Sequence, residues 1–230
     1  MCNFLSAVLV RDGDLLLDPE HTDSHEDLIE IHRLRDDGRG RFVRVEFVPD
    51  KEAPGDLSRW ALNIDEPSTP DWIDLAALRE RLVEIVRPHL VTDERGLLIG
   101  GWWILLGGAK IRKADNARIA AMTGDSFLES ASGSTRIDGV RDSATVSGVW
   151  GSATVRDVGD SATVSSVWGS ATVSDVRGSA TVRGVRDSAT VSDVGDSATV
   201  RDVGDSATVS SVWGSAAVSD VGDSATVRGV

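Results

Sequence analysis

The residues able to do chemistry are few and scattered. Cys2 would become the amino-terminal residue on removal of Met1, and a thiol beside a free amine can act as the nucleophile of a hydrolase. No convincing oxyanion loop accompanies it, so a buried strand-end cysteine is the plainer reading. His21, His25 and His32 stand among Asp23, Glu26 and Asp27. Imidazoles and carboxylates are metal ligands, and His25 and His32 would share a helix face, but spacing places no fourth strong ligand, which favours a solvated helix start. The remaining candidates are apolar: Trp150, Trp168, Trp213, Val227 and Val230, residues suited to an interface and not to a reaction. No catalytic residue, metal site or cofactor is expected.

These residues sit on a repeat. From Asp142 to Val230 the chain cycles through nine residues, as in Asp142-Ser-Ala-Thr-Val-Ser-Gly-Val-Trp150, and counting back by nines holds through Gly133, Gly124 and Asp115. A fixed short period means stacked units, each burying its apolar side against its neighbours. Within a unit, Ala144 and Val146 alternate with Ser143 and Thr145 as a short strand with one buried face. The eighth residue, Val149, is also apolar. Its odd spacing from the fifth requires a turn near the sixth and seventh, where Ser, Arg, Asp and Gly occur. Two nonamers then form one coil. The units over 115–230 predict about six and a half coils, roughly 30 Å at about 4.8 Å per strand, around a narrow Ala and Val core with no room for a ligand. On such a coil Trp150 and Trp168 stack on one corner and Trp213 falls on the opposite side. They either cover edges of the tube or form a ridge for a partner.

Residues 1–100 are different in kind. Phe4–Val10, Arg11-Asp-Gly-Asp14 and Leu15–Leu17 read as a hairpin, and Ser24 with Asp27 opens a helix through Leu34. Phe42–Val48 and Trp60–Ile64 alternate as strands. Thr69-Pro70 caps a helix whose stripe is Ile73, Leu75, Leu78, Leu82, Ile85 and Val86. Leu97 to Leu106 lead into the array and cap its first coil, with Gly107-Gly108 as the joint. The expected fold is a small α+β N-terminal domain, 1–105, followed by an all-β solenoid, 106–230: a parallel β-helix with two nonapeptides per 18-residue coil.

Charge narrows the partners. Of the formal net −13, residues 1–100 carry −10 and the rest −3. Direct nucleic-acid binding is not expected, because it needs clustered Lys and Arg to release counterions; an acidic rod that mimics DNA and inhibits a host DNA-binding enzyme is the alternative. One cysteine allows no intrachain disulfide. The opening apolar run lacks a basic flank and is too short to span a bilayer, so a cytoplasmic location in a bacterial or phage-infected cell is expected, with no membrane partner.

The opening MCNFLSAVLVRDG, Asp23-Ser-His-Glu-Asp-Leu-Ile-Glu30, Phe42-Val-Arg-Val-Glu-Phe47 and Asn63-Ile-Asp-Glu-Pro-Ser-Thr-Pro-Asp-Trp72 together resemble a family of uncharacterised phage and bacterial proteins that join such a head to nonapeptide repeats. The resemblance spans essentially the whole chain and implies a phage or mobile-element origin, but brings no activity. The array is similar to bactofilin-type and pentapeptide-repeat solenoids in architecture only. Acidic pairs such as Asp193 and Asp196 resemble calcium-binding nonapeptide rolls in period alone, since Arg, Trp and Gly interrupt them. Rows of Ser and Thr are similar to ice-binding faces, although Thr ladders also simply shield a sheet.

The array reaches Gly229-Val230 in mid-unit without a polar capping segment. An uncapped coil offers an open strand edge, so a second copy is expected to cover it in a tail-to-tail dimer or a polymer, with a host protein as the other partner. The function read from the sequence is therefore a non-enzymatic structural or protein-binding solenoid.

Overall fold

The computed structural model describes residues 5–35, 40–50 and 53–229. It divides into two units, Met1–Leu90 and Val91–Val230.

In the first unit, β1 (Leu5–Val10) and β2 (Leu15–Leu16) form the expected hairpin, with Gly13 at φ 101° in the loop, a conformation that glycine alone adopts without strain. β3 (Phe42–Val48) pairs antiparallel with β1, and β4 (Ala61–Ile64) with β3. The sheet order is β2-β1-β3-β4. α1 (His25–Ile31) begins where expected, the Ser24 hydroxyl accepting the Asp27 N–H at 3.2 Å. It stops at Ile31 because Arg33 turns left-handed at φ 52° and the Leu34 N–H returns to Ile29 O. α2 (Leu75–Val86) starts five residues later than the Thr69-Pro70 signal indicated. Asp74 is the cap, its carboxylate accepting from Ala76 N and Ala77 N at 3.0 Å each, so two orphan helix donors are satisfied there. Leu78, Leu82 and Val86 form the buried stripe, whereas Leu75 is exposed.

The second unit is a parallel solenoid. One sheet, sheet I, has eight strands from Glu94–Ile99 to Ala217–Val221; the other, sheet II, has nine from Leu90–Val91 to Thr226–Arg228. Consecutive strands alternate between the sheets. Thr145 pairs with Thr163, and Thr154 with Thr172, so one coil is 18 residues and each nonamer is half of it. The sheets begin upstream of residue 106, where the solenoid was expected to start: Glu94–Ile99 and Trp102–Leu105 already pair in parallel with the strands that follow. These segments are part of the first coil and not a cap on it. The early coils are shorter: Glu94 pairs with Lys110 and Lys110 with Phe127, spacings of sixteen and seventeen residues. From Arg118 onward the register is eighteen throughout.

The buried positions are the third, fifth and eighth of each unit up to Val212, and they open to solvent in the two units that follow. Ala180, Val182 and Val185, and Ala189, Val191 and Val194, are fully buried. Burying each valine contributes about 1.5–3 kcal/mol, and uniform size keeps the coils in step. The outward fourth position is a threonine ladder, Thr145, Thr163, Thr181 and Thr199 on sheet I and Thr154 to Thr226 on sheet II. At the start of sheet II the ladder is replaced by Arg118 and Arg136, both bonded to Asp138, which holds two like charges side by side.

Candidate interaction surface

The solenoid turns at two corners, and the geometry of each is fixed by left-handed residues. The first position of a unit has φ between 51° and 58° at Asp142, Asp160, Asp187, Asp196, Asp205 and Asp223; glycine takes the same role at Gly151 and Gly169. The seventh position is left-handed too, at Asp157, Asp175, Asp193, Asp202 and Asp220. Aspartate, glycine and, at Ser166 and Ser211, serine fill these sites because a bulky side chain on Cβ is penalised there, while a short polar side chain is tolerated. A turn closes each corner: Ala180 N–H reaches Arg177 O at 3.3 Å and Ala189 N–H reaches Arg186 O at 3.1 Å.

The first-position carboxylates also tie coils together. Asp187 accepts the N–H of Gly169 at 2.9 Å, Asp205 that of Asp187 at 3.2 Å, and Asp223 that of Asp205 at 3.1 Å. The same bond joins Asp142 to Gly124 and Asp196 to Gly178. These aspartates are therefore structural acceptors. Among the described residues no three His, Cys, Asp or Glu side chains converge to hold a metal ion.

The ninth position carries the largest side chains. Corner I, at the ends of the sheet I strands, presents Trp150, Trp168, Arg186, Gly204 and Gly222 in successive coils; corner II presents Arg141, Gly159, Arg177, Gly195 and Trp213. Trp150 and Trp168 stack with centroids 6.3 Å apart and planes 19° from parallel, as the 18-residue spacing requires. Trp213 is on the other corner, with the Arg177 guanidinium 6.0 Å from its ring centroid. All three indoles are about half exposed, at 45%, 46% and 48%. The glycines of this column serve space. A Cβ on Gly195 would overlap the Trp213 ring, one on Gly204 would overlap Arg186, and one on Gly159 would come within 2.6 Å of Arg141. Large side chains thus lie across the glycine of a neighbouring coil. This knob-over-glycine pattern was written at 18-residue intervals, but only the coil geometry ties each glycine to its cover.

The other sequence candidates separate. His25 is buried and its Nε2 lies 2.9 Å from Val45 O, so it belongs to the core and not to a solvated helix start. His21 pairs with Asp18 at 2.8 Å, which raises its pKa above the ordinary value through the hydrogen bond and the carboxylate's charge. His32 caps the end of α1. Val227 is half-buried against the last part of the core; Cys2 and Val230 lie outside the described residues. Among the described residues no helix is long and apolar enough to cross a membrane. Comparison with family models, with curated proteins and with solved structures found no match for this chain. What the geometry establishes is a small α+β unit and a parallel β-solenoid of two nonapeptides per coil.

Proposed function

We propose that this protein is a non-enzymatic structural or protein-binding solenoid that self-associates through its last coil. The supporting observation is the contrast between equivalent positions. Val200 and Val203 are buried, whereas Val218, one coil on, is only partly buried and Val221 is 44% exposed. Among the described residues Ala217–Val221 and Thr226–Arg228 are also the outermost strands of their sheets, and exposed strand edges with apolar neighbours are templates for further pairing. A second copy offers a matching strand edge and the same Val spacing, giving an isologous tail-to-tail contact if closed and a polymer if not. A phage or mobile-element origin belongs to this proposal through the resemblance of the head, and a cytoplasmic setting is proposed beside it.

Light scattering across a micromolar concentration series tests the reading. A mass at twice the chain or above is expected, falling to the chain mass in V218D/V227D; a wild-type protein that is monomeric throughout overturns it.

The alternative of an acidic DNA mimic draws on one column, Asp157, Asp175 and Asp193, which occupy successive coils. Its charge is partly offset by Arg141, 2.7 Å from Asp157, and Arg177, 3.5 Å from Asp175. Competition with duplex DNA for a DNA-binding protein captured from the host separates the two readings.

A further inference from the structure

We infer that corner I is a second interface, at which another copy of this chain docks side by side and antiparallel. This contact is distinct from the end-to-end association proposed above and uses a different set of residues.

Side chains of graded size follow one another along the corner. Trp150, Trp168, Arg186, Gly204 and Gly222 follow one another once per coil, each linked to the coil before it through its own N–H: Trp168 to Val149 O, Arg186 to Val167 O, Gly204 to Val185 O and Gly222 to Val203 O. At about 4.8 Å per coil the column spans about 19 Å. Size therefore falls along the column from two indoles, through one guanidinium, to two glycines. A two-fold axis passing by Arg186 reverses this order in the second copy. Trp168 then faces Gly204 of the second copy, and Trp150 faces its Gly222. An isologous contact requires such reciprocity, residue against residue in both directions.

The contact is one that this fold already makes within the chain. Trp213 lies across Gly195, and Arg141 across Gly159. Among the described residues, by contrast, no heavy atom lies within 4 Å of the place a Cβ on Gly222 would take. It is an open notch of the kind that elsewhere receives a ninth-position side chain. Gly204 is now buried under Arg186 and Asp223, which face each other across it at 3.8 Å; in the dimer Trp168 takes that place, and Arg186 exchanges Asp223 for Asp187 of the second copy.

Charge selects the same orientation. Beside the two tryptophans the seventh and first positions are Gly148, Ser166, Gly151 and Gly169, with no carboxylate. Beside the two glycines they are Asp202, Asp220, Asp205 and Asp223. An antiparallel pair sets the uncharged half against the acidic half twice. A parallel pair of the same corners would oppose carboxylates with carboxylates, which is destabilising. The corner is narrow and covers much less than the roughly 800 Å² per partner of a standard interface, so a weak complex is expected, one seen at high concentration.

The test is a residue exchange. W150G and G222W each break one size match, and W150G/G222W restores it with the roles reversed. Position nine holds Gly and Trp elsewhere in the array, so all three variants retain a permitted residue at each site. Sedimentation velocity at concentrations up to roughly 1 mM should show each single variant dimerising roughly ten-fold more weakly than the wild type and the double variant close to it. W213G, on corner II, should leave this equilibrium unchanged. Singles that match the wild type, or a double no better than either single, overturn the interface. The measurement is repeated in the V218D/V227D background: association lost there entirely leaves only the end-to-end contact, whereas association that persists and follows the exchange pattern establishes the corner contact alone.

Discussion

Asp205 offers the sharpest test of the corner rule, because its two contributions can be separated by three substitutions. Its φ is 53°, it is exposed, and its carboxylate accepts the Asp187 N–H at 3.2 Å. Alanine loses both the left-handed tolerance, about 1–2 kcal/mol, and an exposed hydrogen bond, about 0.5–1.5 kcal/mol, for a total near 2–3 kcal/mol. Glycine removes the steric cost but loses the bond and gains unfolded-state freedom, so about 1–2 kcal/mol is expected. Asparagine keeps the acceptor and tolerates the backbone, and it relieves one charge in the column Asp187, Asp205, Asp223; its stability should equal the wild type or exceed it slightly at low salt. The order is therefore Asn, then Gly, then Ala. Urea midpoints measure the order, and hydrogen exchange at the Asp187 amide isolates the bond: exchange should quicken in D205A and D205G but not in D205N. Equal midpoints for Ala and Gly would refute the backbone argument, and an unchanged Asp187 amide in both would refute the ladder.

Gly195→Ala should destabilise the array by about 1–2 kcal/mol, since it displaces the Trp213 ring from Gly195 and from Arg177; in a W213A background the cost should nearly vanish, as a double-mutant cycle in urea would show. Val182→Ala, at a fully buried site, should cost about 1.5–3 kcal/mol, and V218A, at a partly buried site, well under half of that; equal losses would contradict the burial contrast between these coils. His21 should titrate above its ordinary value of 6.5 because of Asp18. Its raised pKa means the favourable pairing is present at low pH and fades as pH rises through the folded-state midpoint, and an NMR titration of D18N should return that midpoint towards 6.5.

The solenoid was legible because period-two alternation and an odd fifth-to-eighth step leave few ways to bury Ala144, Val146 and Val149 together. Coil length followed from that step, and with it the stacking of Trp150 on Trp168 and the separation of Trp213. The first coils were harder to see: Glu94–Ile99 and Trp102–Leu105 carry large residues in place of Ala and Val, and their spacings of sixteen and seventeen hide the period. Helix α2 was displaced because two start signals competed, and the carboxylate of Asp74 bonds two amides where Pro70 could only tolerate a start. His25 looked like a solvated or metal-binding residue because nothing local announces that Val45 O, twenty residues away, takes its ring nitrogen. The aspartate acceptors at the corners were visible as acidic pairs, but their bonds run between residues eighteen apart and emerge only once coils are stacked.

Because each nonamer is only half a coil, the number of units between two residues decides on which side of the tube they meet the solvent. Trp168 and Trp213 are separated by five units, an odd number. Loss or duplication of one nonamer between them, the natural product of recombination within near-identical repeats, would leave core, ladder and corner turns intact while carrying every downstream side chain to the opposite corner. Change by two units would only lengthen or shorten the rod. Parity of repeat number therefore sets the surface pattern, and its cost in stability falls on the ninth-position side chains and the glycines they lie across.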